Sequence, residues 1–301
     1  MTVEPSTLER KNKDLFHRWF GEVWNAGNYE VAQQVISPTM RVHGAGGQPV
    51  QMGPDGVSGL VRTWRDAFPD GHMTVDGVIA EGGLVAALLT WHGTHEGEFY
   101  GAAPSGRRVT CTSIGIDGIA DGIIVDGWGE LDMAGMMQQM GAFPMAGPGA
   151  TAKGASADWG SGPVTSGPAD GDVKAVAANF AAALAAGDLA AVLAAGYREY
   201  GPVFGATDAA GAQAVLKVLR SAMPDLRYEQ DEAIVIAEGD LVAIHGVFYG
   251  THTGTPLYGA PAKGSAVTWS QTDLLRVKGD RVTERWVCAD TLAILNQTGP
   301  R

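Results

Sequence analysis

Three polar residues near the end of the chain have the chemistry to bind or activate a substrate. Trp269, Gln271 and Asp273 are spaced two residues apart, so a strand here places all three on one face. If the following hairpin turns at residues 278–280, Arg285 lies opposite Asp273. An arginine this close makes an aspartate a weaker general base but a good polar clamp, so we predict Asp273 and Arg285 as catalytic residues. A purely structural ion pair is the alternative.

A histidine in the first half of the chain is the third predicted catalytic residue. His43 follows the second predicted helix, where the chain enters an irregular, glycine-rich stretch. Imidazole titrates near neutral pH, so His43 could act as an acid or a base. An exposed loop histidine without a catalytic role is the alternative.

Two other histidines belong to a repeated pattern. His95 lies in HGTHEG and His252 in YGTHTG, and each is followed by an aspartate at an equivalent place, Asp132 or Asp290. The pairing suggests a catalytic His–Asp dyad in each copy. Both copies keep these residues while their surroundings differ, which favours a structural role at a strand end.

The sequence has no motif for metal or nucleotide chemistry. His92 and His95 are three residues apart, so on a strand they point to opposite faces. There is no HExxH, no paired CxxC, no GxSxG and no phosphate-binding glycine loop. We therefore predict neither a metal nor a cofactor.

The elements that position these residues occur twice. In each copy a Pro-Asp pair precedes IAEG and an apolar run, and the GTH motif follows. The offset between copies drifts only from 155 residues, between Pro69 and Pro224, to 157 residues, between His95 and His252. This pattern indicates an internal duplication with small loop insertions, and hence two domains.

In each copy the residue pattern predicts helices followed by strands. The segments LFHRWFGEVW, YEVAQQVI and VSGLVRTWRDAF predict helices in the first copy, and VKAVAANFAAAL and QAVLKVLRSAM predict helices in the second. Strands separated by glycine turns come next, which indicates an α+β fold. We place the first domain at residues 1–143, a Gly-, Ala- and Pro-rich linker at 144–171, and the second domain at 172–301. Trp159 in the linker either docks on a domain or is exposed.

Composition excludes several classes of partner. The chain of 301 residues has 33 acidic and 21 basic residues, and its net charge of -12 argues against nucleic acid and anionic membranes. It has no signal-like apolar start and no run near the ~18 apolar residues of a membrane helix, so we predict a cytoplasmic protein. Its two cysteines, Cys111 and Cys288, are expected to be reduced and buried.

The motifs FPD, IAEG, GTHEGEFYG and PSGRR, with GWGELD leading into a helix that ends QQMG, resemble the SnoaL-like polyketide cyclase family. The similarity covers most of residues 10–143 and, more weakly, 172–299. It implies two tandem cones of the nuclear transport factor 2-like fold, each with about three helices on a curved, mostly antiparallel sheet. It further implies an intramolecular pseudo-dimer and leaves a homodimer open. The activity implied is ring closure of a polyketide by aldol addition, without metal or cofactor.

The carboxylate that acts as acid and base in that family is replaced in both copies. Its position falls on Gly129 in the first domain and on Val287 in the second. The face that holds Gly129 is made of small residues, namely Cys111, Ser113, Gly115 and Gly127. Such a wall predicts either a large cavity or tight packing against another domain.

The predicted substrate contacts come from both domains. Gln271 matches a pocket position of the family and can bind a substrate carbonyl or hydroxyl. The others are Trp269, Ser113, Trp128, Tyr249 and Met137. Met137 belongs to a methionine stripe on the last helix of the first domain, for which core packing is the plainer interpretation.

We predict a cofactor-independent cyclase or isomerase that acts on an apolar or aromatic polyketide-like molecule in natural-product biosynthesis. The loss of the carboxylate in both copies favours an alternative, a non-catalytic protein that sequesters or delivers an apolar natural product.

Overall fold

The computed structural model describes residues 5–44, 49–142, 159, 162–201 and 208–299, and only the backbone of residues 232 and 233. Most of the linker predicted for residues 144–171 lies outside this described part.

The first domain contains four α-helices and six strands among its described residues. The helices are α1 (Thr7–Arg18), α2 (Tyr29–Val35), α3 (Pro54–Ala67) and α4 (Met133–Met140), and a π-helical segment, Trp19–Asn25, extends α1. The strands are β1 (Ile36–His43), β2 (Val50–Gln51), β3 (His72–Glu81), β4 (Leu84–Thr94), β5 (Arg108–Ala120) and β6 (Ile123–Leu131). Helix α1 begins where the sequence SxxE forms a capping box, in which the side chains of Ser6 and Glu9 each accept the other's backbone N–H.

The six strands form one sheet in the order β2-β1-β6-β5-β4-β3. Strand β1 runs parallel to β6, and the other neighbours are antiparallel. The expectation of an irregular region after the second helix is wrong for β1, and His43 ends this strand instead of lying in a loop. Strand β1 lacks regular alternation because its register shifts between Ile36 and Arg41, around a proline.

The second domain repeats the plan, with five strands among its described residues. Its helices are α5 (Val173–Ala186), α6 (Ala209–Ala222) and α7 (Thr291–Thr298). Its strands are β7 (Leu193–Tyr200), β8 (Arg227–Glu238), β9 (Leu241–His252), β10 (Ser265–Lys278) and β11 (Arg281–Ala289). The sheet order is β7-β11-β10-β9-β8, with β7 parallel to β11. The prediction of two tandem α+β cones is confirmed. None of the helices in the described part is long and apolar enough to cross a membrane.

The repeated Pro-Asp and GTH motifs form the same structural contact in both domains. The carboxylate of Asp70 accepts hydrogen bonds from the backbone N and the Oγ1 of Thr94, at 2.6 and 2.7 Å. Asp225 accepts the same two bonds from Thr251, both at 2.7 Å. The duplicated motifs therefore fasten the start of one strand to the end of the next.

The histidines of the GTH motifs bind the backbone of the loop that follows. Nδ1 of His95 accepts from the backbone N of Ser105 at 3.3 Å, and Nε2 of His252 donates to the carbonyl oxygen of Thr255 at 2.9 Å. Both histidines are buried. These contacts are the structural role that the sequence favours.

The two aspartates of the suspected His–Asp dyads begin the last helix of each domain. Asp132 accepts the backbone N–H of Gly135 at 2.9 Å, and Asp290 accepts that of Ala293 at 2.8 Å. Both are N-cap residues, so the structure accounts for their repetition without catalysis.

The domains pack through their sheets, and their contacts are reciprocal. The carboxylate of Glu238 accepts the backbone N–H of Ala80 at 2.9 Å, and that of Glu81 accepts the backbone N–H of Ala237 at 2.9 Å. Between the sheets lies a shared apolar cluster that includes Ile79, Leu88, Ile116, Ile236, Leu274 and Trp286. Cys111 and Cys288 are both free and buried.

Trp159 of the linker is docked between the domains. Its indole N–H donates to the carbonyl of Leu89 at 3.1 Å, and its own carbonyl accepts from the indole of Trp286 at 3.0 Å. The residue is 5% exposed. The linker therefore contributes to the domain interface, and the solvent-exposed alternative is wrong.

Candidate functional site

The first domain contains a cavity of about 300 Å³. Its walls are mostly apolar and aromatic, with contributions from Phe16, Trp19, Phe20, Trp24, Trp64 and Leu89. Three predicted site residues, His43, Ser113 and Trp128, line this cavity. An apolar chamber with a few polar groups is the usual form of a small-molecule site.

The wall of small residues accounts for the space. Ser113, Gly115, Gly127 and Gly129 all line the cavity, as strand alternation predicts. A Cβ on Gly127 would lie 2.8 Å from Cε of Met40, so even an alanine requires that methionine to move. Cys111 packs into the core instead.

Asp117 is a functional candidate that the sequence analysis missed. It lines the cavity, is 8% exposed, and its Oδ2 has no hydrogen-bond partner among the described residues. Burial without a compensating charge raises the pKa of Asp117 to about 7. The signal was available, because Asp117 is the next alternate residue after Ser113 and Gly115 on the same face of β5.

His43 is held at the cavity by its neighbours. Its Nε2 lies 2.7 Å from Oδ1 of Asp126, and Arg41 donates to Oδ2 of the same carboxylate at 2.6 Å. Its ring stacks on the indole of Trp128, with centroids 4.2 Å apart and planes inclined by 12°. Burial works to raise the pKa of Asp126, but hydrogen bonds from Arg41 and His43 outweigh it and lower that pKa, so the carboxylate stays charged.

The corresponding interior of the second domain is filled. Its cavity is only about 30 Å³, and Gln271, Arg285 and Glu199 line it. Nε of Arg285 donates to Asp273 at 2.7 Å, and its Nη1 donates to Glu199 at 3.0 Å. Nε2 of Gln271 donates to Asp273 at 3.0 Å. Asp273 is fully buried. These side chains pair with one another and leave room for about one water molecule.

The strand register of the β10–β11 hairpin differs from the prediction. The turn is at residues 279 and 280, and an irregularity between Arg276 and Val277 shifts the pairing, so Asp273 lies opposite Val287 and not opposite Arg285. The ion pair still forms because the arginine side chain reaches diagonally across the hairpin. Burial alone would lower the pKa of Arg285, but the two carboxylates raise it well above its ordinary value.

The other predicted contacts lie apart from the domain 1 cavity. Trp269 is fully buried and stacks on Phe248 at 4.7 Å, and Tyr249 lies under the guanidinium of Arg227 at 4.5 Å. Met137 lines a separate surface hollow of about 350 Å³. The site roles of these residues, and those of Asp273, Arg285 and Gln271, stay predictions.

A curved sheet closed by helices around an apolar chamber defines a cone-shaped α+β protein with a small-molecule site. The chain belongs to the SnoaL-like polyketide cyclase family, whose family model matches residues 14–140 and 175–298. Membership supports a cyclase or isomerase role in general. No curated protein gives a significant sequence match to the chain.

Several solved structures are similar to one half of the chain. A "Putative SnoaL-like polyketide cyclase" from Jannaschia sp. CCS1 is 26% identical, over 47% of this chain and 99% of its own, with a TM-score of 0.43. IdmH, a "putative polyketide cyclase" from Streptomyces antibioticus, is 29% identical over 43% of this chain and 98% of its own, with a TM-score of 0.39. AclR, a "putative hydroxylase" from Streptomyces galilaeus, is 25% identical over 46% of this chain and 90% of its own, with a TM-score of 0.42.

Proposed function

We propose that the chain is a cytoplasmic, cofactor-independent cyclase or isomerase that acts on a polyketide-like small molecule in natural-product biosynthesis, with its reaction in the domain 1 cavity. The observation that carries this proposal is Asp117, an unpartnered carboxyl in an apolar chamber with a pKa raised to about 7. A base with a pKa near the working pH combines a useful ionised fraction with a strong pull on a proton. The apolar walls suit an apolar or aromatic ligand.

The position of Asp117 supports a relocation of the acid/base group. The family position falls on Gly129, which pairs with Gly115 across the β5–β6 hairpin. Asp117 pairs with Gly127, two residues further along the same face. Two residues of a strand span about 7 Å, so the carboxylate has moved within one cavity wall.

The proposed chemistry is a ring closure by proton transfer. Ionised Asp117 takes a proton from a carbon that lies next to carbonyl groups, and the electron pair of that C–H bond forms an enolate. The enolate carbon attacks a second carbonyl of the same molecule, which forms a C–C bond and leaves an alkoxide. The alkoxide takes up one proton and Asp117 releases one, so the product is an isomer of the substrate. Exclusion of water by the apolar walls protects the enolate.

The function is tested with the unmodified protein. Linear poly-β-ketones and multicyclic hydroxyquinones are mixed with it, and absorbance is followed together with chromatography and mass detection of what is recovered. We expect a product of unchanged mass, formed over many turnovers. A stoichiometric spectral change with the ligand recovered intact would instead establish the binding protein that is the alternative function.

The two candidate carboxylates are then compared. Asp117→Asn is nearly isosteric and should lower kcat by about 10²- to 10⁴-fold, the usual contribution of a general base. The sequence-based prediction instead expects this loss in Asp273→Asn. Folding of both variants is checked by circular dichroism, and occupancy of the cavity by tryptophan quenching with emodin, a trihydroxyanthraquinone. Loss of turnover in folded Asp273→Asn alone would move the reaction to domain 2.

We further propose that the fused domains act as an intramolecular pseudo-dimer. The reciprocal contacts of Glu81 and Glu238 support this, because each domain gives the other the same bond. Light scattering after size exclusion should then give the mass of one chain, 31.3 kDa. A particle of twice that mass would favour the homodimer.

A further inference from the structure

Four residues beside the domain 1 cavity form one connected group, called here the histidine assembly: Arg41, His43, Asp126 and Trp128. The Asp126 carboxylate lies 2.7 Å from Nε2 of His43 and 2.6 Å from the Arg41 guanidinium. The Trp128 indole supports the imidazole from one face. The ring is thus fixed both by a bond in its plane and by an aromatic surface parallel to it.

The bond to Asp126 decides which nitrogen of His43 exchanges a proton. A carboxylate only accepts hydrogen bonds, so Nε2 must keep its hydrogen to stay paired with Asp126. This holds for neutral imidazole and for imidazolium. Nδ1 is then the nitrogen that gains or loses a proton, and His43 lines the cavity.

Domain 2 contains a related arrangement in which the ring is a tyrosine and the carboxylate belongs to a glutamate. Strand pairing places His43 opposite Trp128 in domain 1 and Tyr200 opposite Trp286 in domain 2. The Tyr200 ring stacks on Trp286 with centroids 5.5 Å apart, and its hydroxyl donates to Glu284 at 3.4 Å. The duplication therefore keeps the ring, the indole and the carboxylate. At this position domain 1 has an imidazole, the group most often used for proton transfer in enzymes, and domain 2 has a phenol.

We propose that Asp126 is a positioning residue that holds a proton on Nε2 of His43, so that Nδ1 of His43 is the group that gives a proton to the alkoxide in the domain 1 reaction. This inference rests on the proposed function. Asp117 carries away the C–H proton, imidazolium Nδ1–H supplies the proton of the new hydroxyl, and neutral His43 is recharged as Asp117 loses its proton. The sum leaves every proton accounted for. Arg41 neutralises the second oxygen of Asp126 and keeps the carboxylate in place.

The first test is spectroscopic and needs no turnover. In protein labelled with 15N-histidine, NMR should find the hydrogen of neutral His43 on Nε2, and a shift of its Nδ1 signal when emodin binds. Exposed His17 is the internal control and should not shift. A neutral His43 with its hydrogen on Nδ1, or one that does not respond to bound emodin, would overturn the proposal.

The second test separates positioning from packing. Asp126→Asn should mix the two tautomers of His43 and lower kcat by about tenfold, part of the usual contribution of an acid/base group, with KM unchanged within twofold. Asp126→Glu should restore most of the rate. If Asp126→Asn does not fold, Arg41→Gln at a largely exposed side chain gives the weaker form of the same effect. An unchanged tautomer and an unchanged pH profile of kcat would contradict the proposal.

The third test uses the duplication. His43→Phe keeps the stacked ring but removes the proton carrier, so it should lower kcat by about 10²-fold. Tyr200→Phe makes the matched change in domain 2 and should leave kcat unaltered. If His43→Phe keeps full activity while Asp117→Asn abolishes it, this inference fails and the proposed function stands. If Asp117→Asn is fully active, the proposed function fails, and the NMR result still decides the role of Asp126.

Discussion

The inner walls of the two domains differ at nearly every matched position of the same hairpin. The match follows from one bond, because the backbone N of Asp132 donates to Thr112 in domain 1 and that of Asp290 donates to Ser270 in domain 2. The matched pairs along the wall are Ser113 and Gln271, Gly115 and Asp273, Asp117 and Leu275, Gly127 and Arg285, and Gly129 and Val287. In three of these pairs domain 1 has a glycine and domain 2 has a larger side chain.

Because of these substitutions, the same fold encloses a cavity in domain 1 and a packed core in domain 2. With glycines on the wall, domain 1 keeps a cavity of about 300 Å³, and the Oδ2 of Asp117 in it has no partner in the described part of the chain. With Arg285 and its two carboxylates, domain 2 keeps about 30 Å³. A buried ion pair needs close partners to offset its desolvation, so the network of Arg285 also fills the interior of domain 2. The chamber and the candidate base therefore occur together in domain 1.

Converting the domain 1 wall toward domain 2 gives the largest expected effect. Gly127→Arg places a guanidinium opposite Asp117, where it would fill the cavity and bring the pKa of Asp117 back toward its ordinary value. We expect kcat to fall as far as in Asp117→Asn, by about 10²- to 10⁴-fold, with emodin binding lost. The control is Thr39→Arg, which adds the same charge at an exposed position of β1. Normal turnover in a folded Gly127→Arg protein would place the reaction outside this cavity.

Breaking the network in domain 2 should act on stability and spare the chemistry of domain 1. Arg285→Leu leaves Asp273 and Glu199 buried without their counter-charge, which should lower the free energy of unfolding by about 3–5 kcal/mol. Urea unfolding followed by circular dichroism measures this loss. The matched control is Arg227→Leu, whose ion pair with Glu229 is more than half exposed and is worth about 0–1 kcal/mol. Lost turnover at full stability would instead support the sequence-based role of Arg285.

The pH dependence of stability is the next test of the comparison between the two domains, because Asp117 of the domain 1 wall has no charged or hydrogen-bonding partner among the residues that the structure describes. The pKa of Asp117 is raised from 3.8 to about 7, so the native state binds more protons than the unfolded state between these values. Its contribution is favourable below pH 4 and is lost as the pH rises toward 7, and three pKa units correspond to about 4 kcal/mol. Burial also raises the pKa values of Glu130 and Asp132, to about 8 and about 6, so these two groups add to the pH dependence of the parent protein.

The measured quantity is therefore the difference between the parent protein and Asp117→Asn. Over pH 4 to 7 the parent should lose stability relative to this variant, and the difference should become constant above pH 8. Asp121→Asn changes an exposed aspartate on the same hairpin and serves as the control. A difference curve that stays flat would mean that Asp117 has a charged partner in solution.

Sequence reasoning predicts those features of this contrast that follow from alternation. Periodicity and duplicated motifs predict both cones, and counting along β5 and β6 places Ser113, Gly127 and Gly129 on the cavity wall correctly. The same count carried one step further reaches Asp117. The pairing of Asp273 and the strand that ends at His43 escape prediction for a different reason. Both depend on a register irregularity, which is set by three-dimensional packing and leaves no regular trace in residue types.

The smallest expected effect concerns the symmetry of the interface. Lys13 forms an ion pair with Glu238 at 2.5 Å, and the two side chains are only 17% and 12% exposed. Lys174 forms the equivalent pair with Glu81 at 2.6 Å, but these side chains are 47% and 38% exposed. Water screens the second pair more, so Lys13→Met should cost about 1 kcal/mol and Lys174→Met only a few tenths. Double-mutant cycles with Glu238→Gln and Glu81→Gln isolate the two pair energies. Equal coupling in both cycles would mean that the interface is energetically symmetric, and that the asymmetry of the molecule is confined to the inner walls of its two cones.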